Sequence, residues 1–108
     1  MQDLRKGSTS LLLLHVLAEE PMYGFQLVEA LRERTGGVLD FAEGMLYPML
    51  HKLERSGLLE PEWRPGSDGP PRKYYRLTPA GLDELARRKE DWRRFADAVD
   101  AALELERS

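Results

Sequence analysis

Apolar residues repeat at helical spacing three times before the pattern of the chain changes. Residues 9–17 hold four consecutive leucines at 11–14, then Val16 and Leu17. They predict a first helix, with Gly7 or Ser8 as its cap. This helix is apolar on more than one side, so one face can enter the domain core while the other needs a second partner. Glu19, Glu20 and Pro21 end it. In MYGFQLVEALRERTGG, the residues Gly24, Leu27, Val28 and Leu31 follow i, i+3, i+4, i+7, and Gly36 with Gly37 supplies the stop. After a short linker the stretch EGMLYPMLHKLERSG repeats the spacing with Leu46, Met49, Leu50 and Leu53. That third helix is expected to begin near Ala42 or Glu43 and to end at Gly57, with Pro48 close to its start. A proline there removes one backbone donor and crowds the carbonyl of Gly44, and glycine at that position leaves room to adjust.

Beyond Gly57 the period falls to two. Leu59, Pro61 and Trp63 alternate with Glu60, Glu62 and Arg64, which predicts a strand. Pro61 cannot donate to a ladder and assigns that strand to an edge or a bulge. Trp63 is expected to pack in the core or on the wing. PGSDGPP is a turn cluster and RKYYRL the returning strand, giving a two-stranded wing. Thr78 followed by Pro79 is a helix start, and nothing breaks the pattern before about Glu106. Leu82, Leu85, Lys89, Trp92, Ala96, Val99 and Leu103 form a heptad line interrupted by Lys89. A helix this long exceeds what so small a core can cover. Its apolar side, with Leu82, Leu85 and Leu103, is expected on a second subunit. The predicted fold is mainly α (α+β): a winged helix-turn-helix over residues 1–77, then a C-terminal dimerisation helix over 78–108, in one compact unit.

The chain has 108 residues, one small domain's worth, and a core of that size gains from pairing with a second copy. There is no cysteine, which removes disulfides, thiolate metal sites and thiol nucleophiles. With no secretory signal and no apolar run long enough to span a bilayer, the expectation is a cytoplasmic protein with no membrane partner. Net charge is −3 but unevenly spread: residues 1–43 carry −3, residues 44–77 carry +2 and residues 78–108 carry −2. The third helix and wing are thus the basic part of an acidic chain, and binding follows the local field. In a helix-turn-helix the second helix enters the major groove. Met45, Tyr47, Pro48, His51, Lys52 and Arg55 lie off the apolar stripe of that helix and mix cations with hydrogen-bonding and apolar groups. Arg64, Arg72 and Lys73 edge the wing turn. His15 has no companions at metal-ligand spacing and reads as a packing or interface residue; no metal site, cofactor site or catalytic cluster stands out. Trp92, near Phe95 and Val99, can pack a dimer or line a flat apolar pocket, with Leu11 and Leu14 as walls. Arg87 with Asp91 and Glu90 with Arg94 stand at i, i+4 on solvated faces. A winged-helix module that binds protein instead of DNA is the competing reading, and the acidic total is its support.

The segments EGMLYPMLHKLERSGLLEPEWR and PRKYYRLTPAG, preceded by YGFQLVEAL, resemble the PadR family of bacterial transcriptional regulators across about residues 8–99. The single C-terminal helix with its Trp resembles the short subfamily that includes multidrug-binding repressors. The resemblance implies a homodimeric repressor on double-stranded DNA carrying an inverted-repeat operator. It implies base contacts from Gly44, Met45, Tyr47, Pro48, His51 and Lys52, and backbone contacts from Tyr23, Gly24, Arg72 and Lys73. It implies a dimer cavity for a small aromatic effector, lined by Ser10, Leu11, Leu14, Trp92, Phe95, Ala96 and Val99. Met45 stands where many members have Thr, the wing turn PGSDGPP is stiffened by its prolines and made less basic by Asp68, and Lys89 replaces an aromatic found in some members.

Overall fold

The structure, a computed structural model, describes residues 2–106, with side chains from Ser8 onward. Four helices and three short strands follow in the order α1 (Gln2–Glu19), β1 (Met22–Tyr23), α2 (Gly24–Arg34), α3 (Glu43–Arg55), β2 (Leu59–Arg64), β3 (Arg72–Leu77) and α4 (Pro79–Leu103). The helix that was expected to open at residue 9 starts seven residues earlier, so Ser8 lies inside it instead of capping it. Its leucine-rich half is nonetheless the centre of the domain. Leu13, Leu14 and Val16 are fully buried and join Leu27 and Leu31 of α2, Leu46, Leu50 and Leu53 of α3, Leu59, Tyr75 and Leu85 in one core. Burying each such leucine contributes about 1.5–3 kcal/mol of transfer free energy.

Helix α2 stops where the glycines predict. Thr35 Oγ1 donates to the Leu31 carbonyl at 2.7 Å and accepts the Leu39 amide at 2.9 Å. Gly36 and Gly37 then turn the chain at φ 60° and 87°. Leu39 and Phe41 of the linker are buried and anchor it to the core. Helix α3 runs unbroken through Pro48 and ends in a Schellman cap: the Leu58 amide reaches the Leu53 carbonyl and the Gly57 amide the Glu54 carbonyl, each at 3.0 Å, with Gly57 at φ 78°.

The sheet has three strands and not two, in the order β1-β3-β2, all antiparallel. Met22 and Tyr23 pair with Tyr75 and Tyr74 ahead of α2; two residues are too few for a period to be visible. Pro61 sits on β2, an outer strand, as its missing donor requires. Trp63 departs from expectation: it is 64% exposed, because β2 carries it past the core that holds Leu59. Thr78 caps α4, accepting the Gly81 amide on Oγ1 at 3.0 Å. The helix stops at Leu103, short of the expected end, where Glu104 adopts a left-handed φ of 59°. Arg87 pairs with Asp91 at 3.7 Å as predicted, whereas Glu90 meets Arg93 at 3.9 Å, one residue before the predicted partner. His15 lies 3.7 Å from Glu19 on the rim of α1. No helix among the described residues is long and apolar enough to cross a membrane.

Candidate nucleic-acid interface

On α3 the burial of Leu46, Leu50 and Leu53 dictates what points outward. Opposite them, at spacings of four, three and four, lie Gly44, Pro48, His51 and Arg55, all exposed. A Cβ on Gly44 would meet nothing within 4 Å, so this stripe begins on open surface. Met45, 58% exposed, and Lys52 flank the stripe on one side and Tyr47 on the other. Tyr47 and His51 stack at 6.1 Å between ring centres. Among the described residues no carboxylate pairs with Lys52, Arg55 or Arg72, so three cations remain available on this side of the molecule.

The expected residues divide into two groups around α3. Tyr23, Gly24, Tyr47, Arg72 and Lys73 line one concavity together with Phe25 and Glu43, which the sequence reading did not single out. Pro48 and Lys52 instead border a groove on the other flank, with Ser10, Met49, Leu53, Ser56 and Arg88. The Tyr47 hydroxyl donates to Glu43 Oε1 at 2.9 Å. Burial first, then Glu43, pushes the Tyr47 pKa up, which keeps the proton on the phenol. Glu43 could have been found from its i, i+4 spacing to Tyr47 at the first position of the helix.

The wing arginines are held by rings. Tyr23 packs edge-on against Tyr74 at 5.2 Å, Arg72 lies 4.8 Å over Tyr23, and Arg64 lies 4.1 Å over Tyr74. Arg72 also donates a long hydrogen bond to the Tyr23 hydroxyl at 3.4 Å, while Arg64 is tied to Glu62 at 2.5 Å. Lys73, expected to reach outward to a phosphate, is held by a partner in the protomer: its ammonium lies 3.0 Å from Glu54 Oε1 and 5.0 Å from the Tyr75 ring centre. Burial alone would lower its pKa; the hydrogen bond and charge of Glu54, with Tyr75, outweigh that and raise it. Lys73 therefore fastens β3 to α3.

The residues expected to line a cavity between subunits also divide. Leu14 is fully buried in the protomer's own core and Leu85 is 4% exposed, so both face inward and neither reaches the surface. The heptad line placed Leu85 outside because it counts spacing and not the direction of α1. Beyond Leu85 the large apolar residues of α4 are open among the described residues: Trp92 is 41%, Phe95 52%, Val99 36% and Leu103 62% exposed, and Trp92 and Phe95 are 6.1 Å apart. Leu82 is exposed at the other end of α4, and Ser10, Leu11 and Ala96 are half-buried. Among the described residues no group of His, Cys, Asp or Glu could hold a metal ion.

Comparison with known proteins follows the same features. A model of the transcriptional regulator PadR-like family matches residues 13–87. The transcriptional regulator Rv3488 of Mycobacterium tuberculosis is 37% identical over 97 residues, covering 81% of this chain and 87% of that protein. The crystal structure of a PadR family transcriptional regulator from Eggerthella lenta superposes with a TM-score of 0.83 at 37% identity, over 97% of this chain and 89% of that one. A PadR-like transcriptional regulator from Bacillus cereus gives 0.82 at 30% identity, over 96% and 99%. With its helix-turn-helix, wing and long last helix matched along nearly their whole length, the chain belongs to the PadR-like family of transcriptional regulators, and not to a family of enzymes.

Proposed function

We propose that the protein is a homodimeric DNA-binding repressor of an inverted-repeat operator, released by a small aromatic or hydrophobic ligand bound where two α4 helices meet. The observation that carries DNA binding is the outward stripe of α3, with Lys52, Arg55 and Arg72 near it and none of the three held by a carboxylate among the described residues. Bases are read by hydrogen-bonding and apolar groups, which His51, Tyr47 and Met45 supply; phosphates need the cations. The uncovered apolar side of α4 supports the dimer, which would set two α3 helices about one DNA turn, roughly 34 Å, apart. Trp92 and Phe95 supply flat apolar surface for a ligand, and a ligand that favours one spacing of the α3 helices shifts the affinity accordingly.

The test is duplex binding to the gene's own upstream region across a salt series. Neutralising each phosphate contributes about 0.9 to the slope of log K against log salt. Lys52→Ala and Arg72→Ala should each lower affinity and flatten that slope by about one contact. Unchanged affinity and slope in both would reject the interface. Quenching of Trp92 fluorescence by planar aromatic compounds, with loss of the duplex, supports the ligand; no quenching rejects it.

A further inference from the structure

The concavity between α2, α3 and the wing holds one side chain at odds with a surface meant for phosphates. Glu43 is the only carboxylate among its lining residues. It occupies the first position of α3, where the helix dipole favours an acid. Its carboxylate has two close neighbours. Oε1 accepts the Tyr47 hydroxyl at 2.9 Å, and the same oxygen packs so close to Gly24 that a Cβ there would lie 2.7 Å from it and 2.9 Å from the Tyr47 oxygen. Gly24 is buried, and it is the absence of a side chain at that residue that lets the carboxylate and phenol settle against the start of α2.

A phenol has one proton to donate and lone pairs to accept with. The Tyr47 proton is committed to Glu43. Turned to a duplex, Tyr47 therefore offers only an acceptor. Resting on the DNA-binding reading, we infer that Glu43 is a positioning residue for base selection: by holding the Tyr47 proton it makes that hydroxyl seek an exocyclic amino group, cytosine N4 or adenine N6, in the major groove. Guanine O6 and N7 and thymine O4 are acceptors and are disfavoured at that position. The carboxylate at the same time weakens sequence-independent attraction to phosphate, since it places a negative charge in the concavity that also carries Arg72.

The experiment selects preferred sites from randomised duplexes with the full-length protein, Glu43→Ala, Tyr47→Phe and the double variant. Nonspecific affinity is measured alongside on a scrambled duplex. The wild type should enrich cytosine or adenine at one position of each half-site by roughly three- to tenfold, the size of one neutral hydrogen bond; which base is enriched identifies the amino group. Glu43→Ala should lose that enrichment at that position alone, while binding the scrambled duplex about two- to tenfold more tightly. Tyr47→Phe should lose the same enrichment, and adding Glu43→Ala to it should change base preference no further. An unchanged base profile in Glu43→Ala overturns the inference. So does a preference that survives Tyr47→Phe, which would mean that Glu43 reads the base itself. Should Glu43→Ala not fold, Glu43→Ser, too short to reach the phenol but compatible with a helix start, takes its place with the same expected loss. A wild type that selects no duplex rejects the DNA-binding reading beneath it, an outcome distinct from a wild type that selects while Glu43→Ala selects identically.

Discussion

Replacing Gly44 with alanine should raise stability and lower DNA affinity in one step. Gly44 is the second residue of α3, in helical conformation, and a Cβ there meets nothing within 4 Å. No packing is therefore lost or strained within the protomer. What changes is the unfolded chain, which loses part of glycine's conformational freedom. A compatible Gly→Ala exchange stabilises by about 0.4–1 kcal/mol, and the lower half of that range suits a first turn. For a domain of this size about 0.5 kcal/mol corresponds to a rise in Tm of roughly 2–4 °C. The same methyl group stands at the head of the stripe that Pro48, His51 and Arg55 continue. If that stripe lies in the major groove, the methyl holds the helix off the base edges, and a tenfold loss of affinity needs only about 1.4 kcal/mol. Calorimetry and duplex titration on the same preparation check both signs. A higher Tm with unchanged affinity would show that the stripe does not face DNA. A lower Tm would show that Gly44 is needed for its backbone.

Two other glycines separate by what surrounds them. Gly24→Ala meets the movable ends of Glu43 and Tyr47, so it should cost about 1 kcal/mol or less in denaturant titration while weakening duplex binding. Gly81→Ala would run into the Leu58 carbonyl and lie 2.6 Å from Leu77 Cδ1, and should cost about 1–3 kcal/mol. Trp92→Ala should leave the protomer's circular dichroism unchanged and raise the dimer dissociation constant by tenfold or more in sedimentation equilibrium, since its ring is 41% exposed on the protomer. Glu19, joined to Arg34 by two hydrogen bonds, has its pKa lowered by that pairing against the opposing effect of burial. Its contribution is present above the ordinary glutamate value of 4.5 and disappears as pH falls through the lowered one. Acid titration of Glu19→Gln should show a shallower loss of stability below that point.

Much of this architecture is legible in the sequence where a period runs long enough to repeat. The α2 and α3 stripes, the Gly57 cap, the Thr78–Pro79 start and the edge position of Pro61 all follow from local rules that tertiary contacts left in force. What local rules miss is direction. The heptad line through Leu85 and the leucine run through Leu14 identify apolar positions, but only the packing of α1 on α4 decides that these two face inward while Trp92 and Val99 do not. Trp63 follows the strand alternation correctly and is still exposed, because alternation says which face a residue shares and not where the core ends. Lys73 shows the same gap for charge. Its neighbour Arg72 meets no carboxylate among the described residues, but Lys73 itself meets Glu54 from nineteen positions back, a partner that no spacing within the wing reveals.

The end of α3 and the beginning of α4 are more than twenty positions apart in sequence and directly joined in space. The Thr78 amide bonds the Leu58 carbonyl at 3.1 Å, and the Thr78 hydroxyl donates to the Gly57 carbonyl at 2.7 Å. The wing is thus a loop whose two ends are fastened together at its base. Closing a flexible loop costs only about 0.6 kcal/mol more for each doubling of its length. The turn at residues 65–71 can therefore lengthen, shorten or change its charge while the angle between α3 and α4 stays fixed. On the proposed reading, contacts made by the wing tip and the spacing set by the long helix can vary independently, each without disturbing the other.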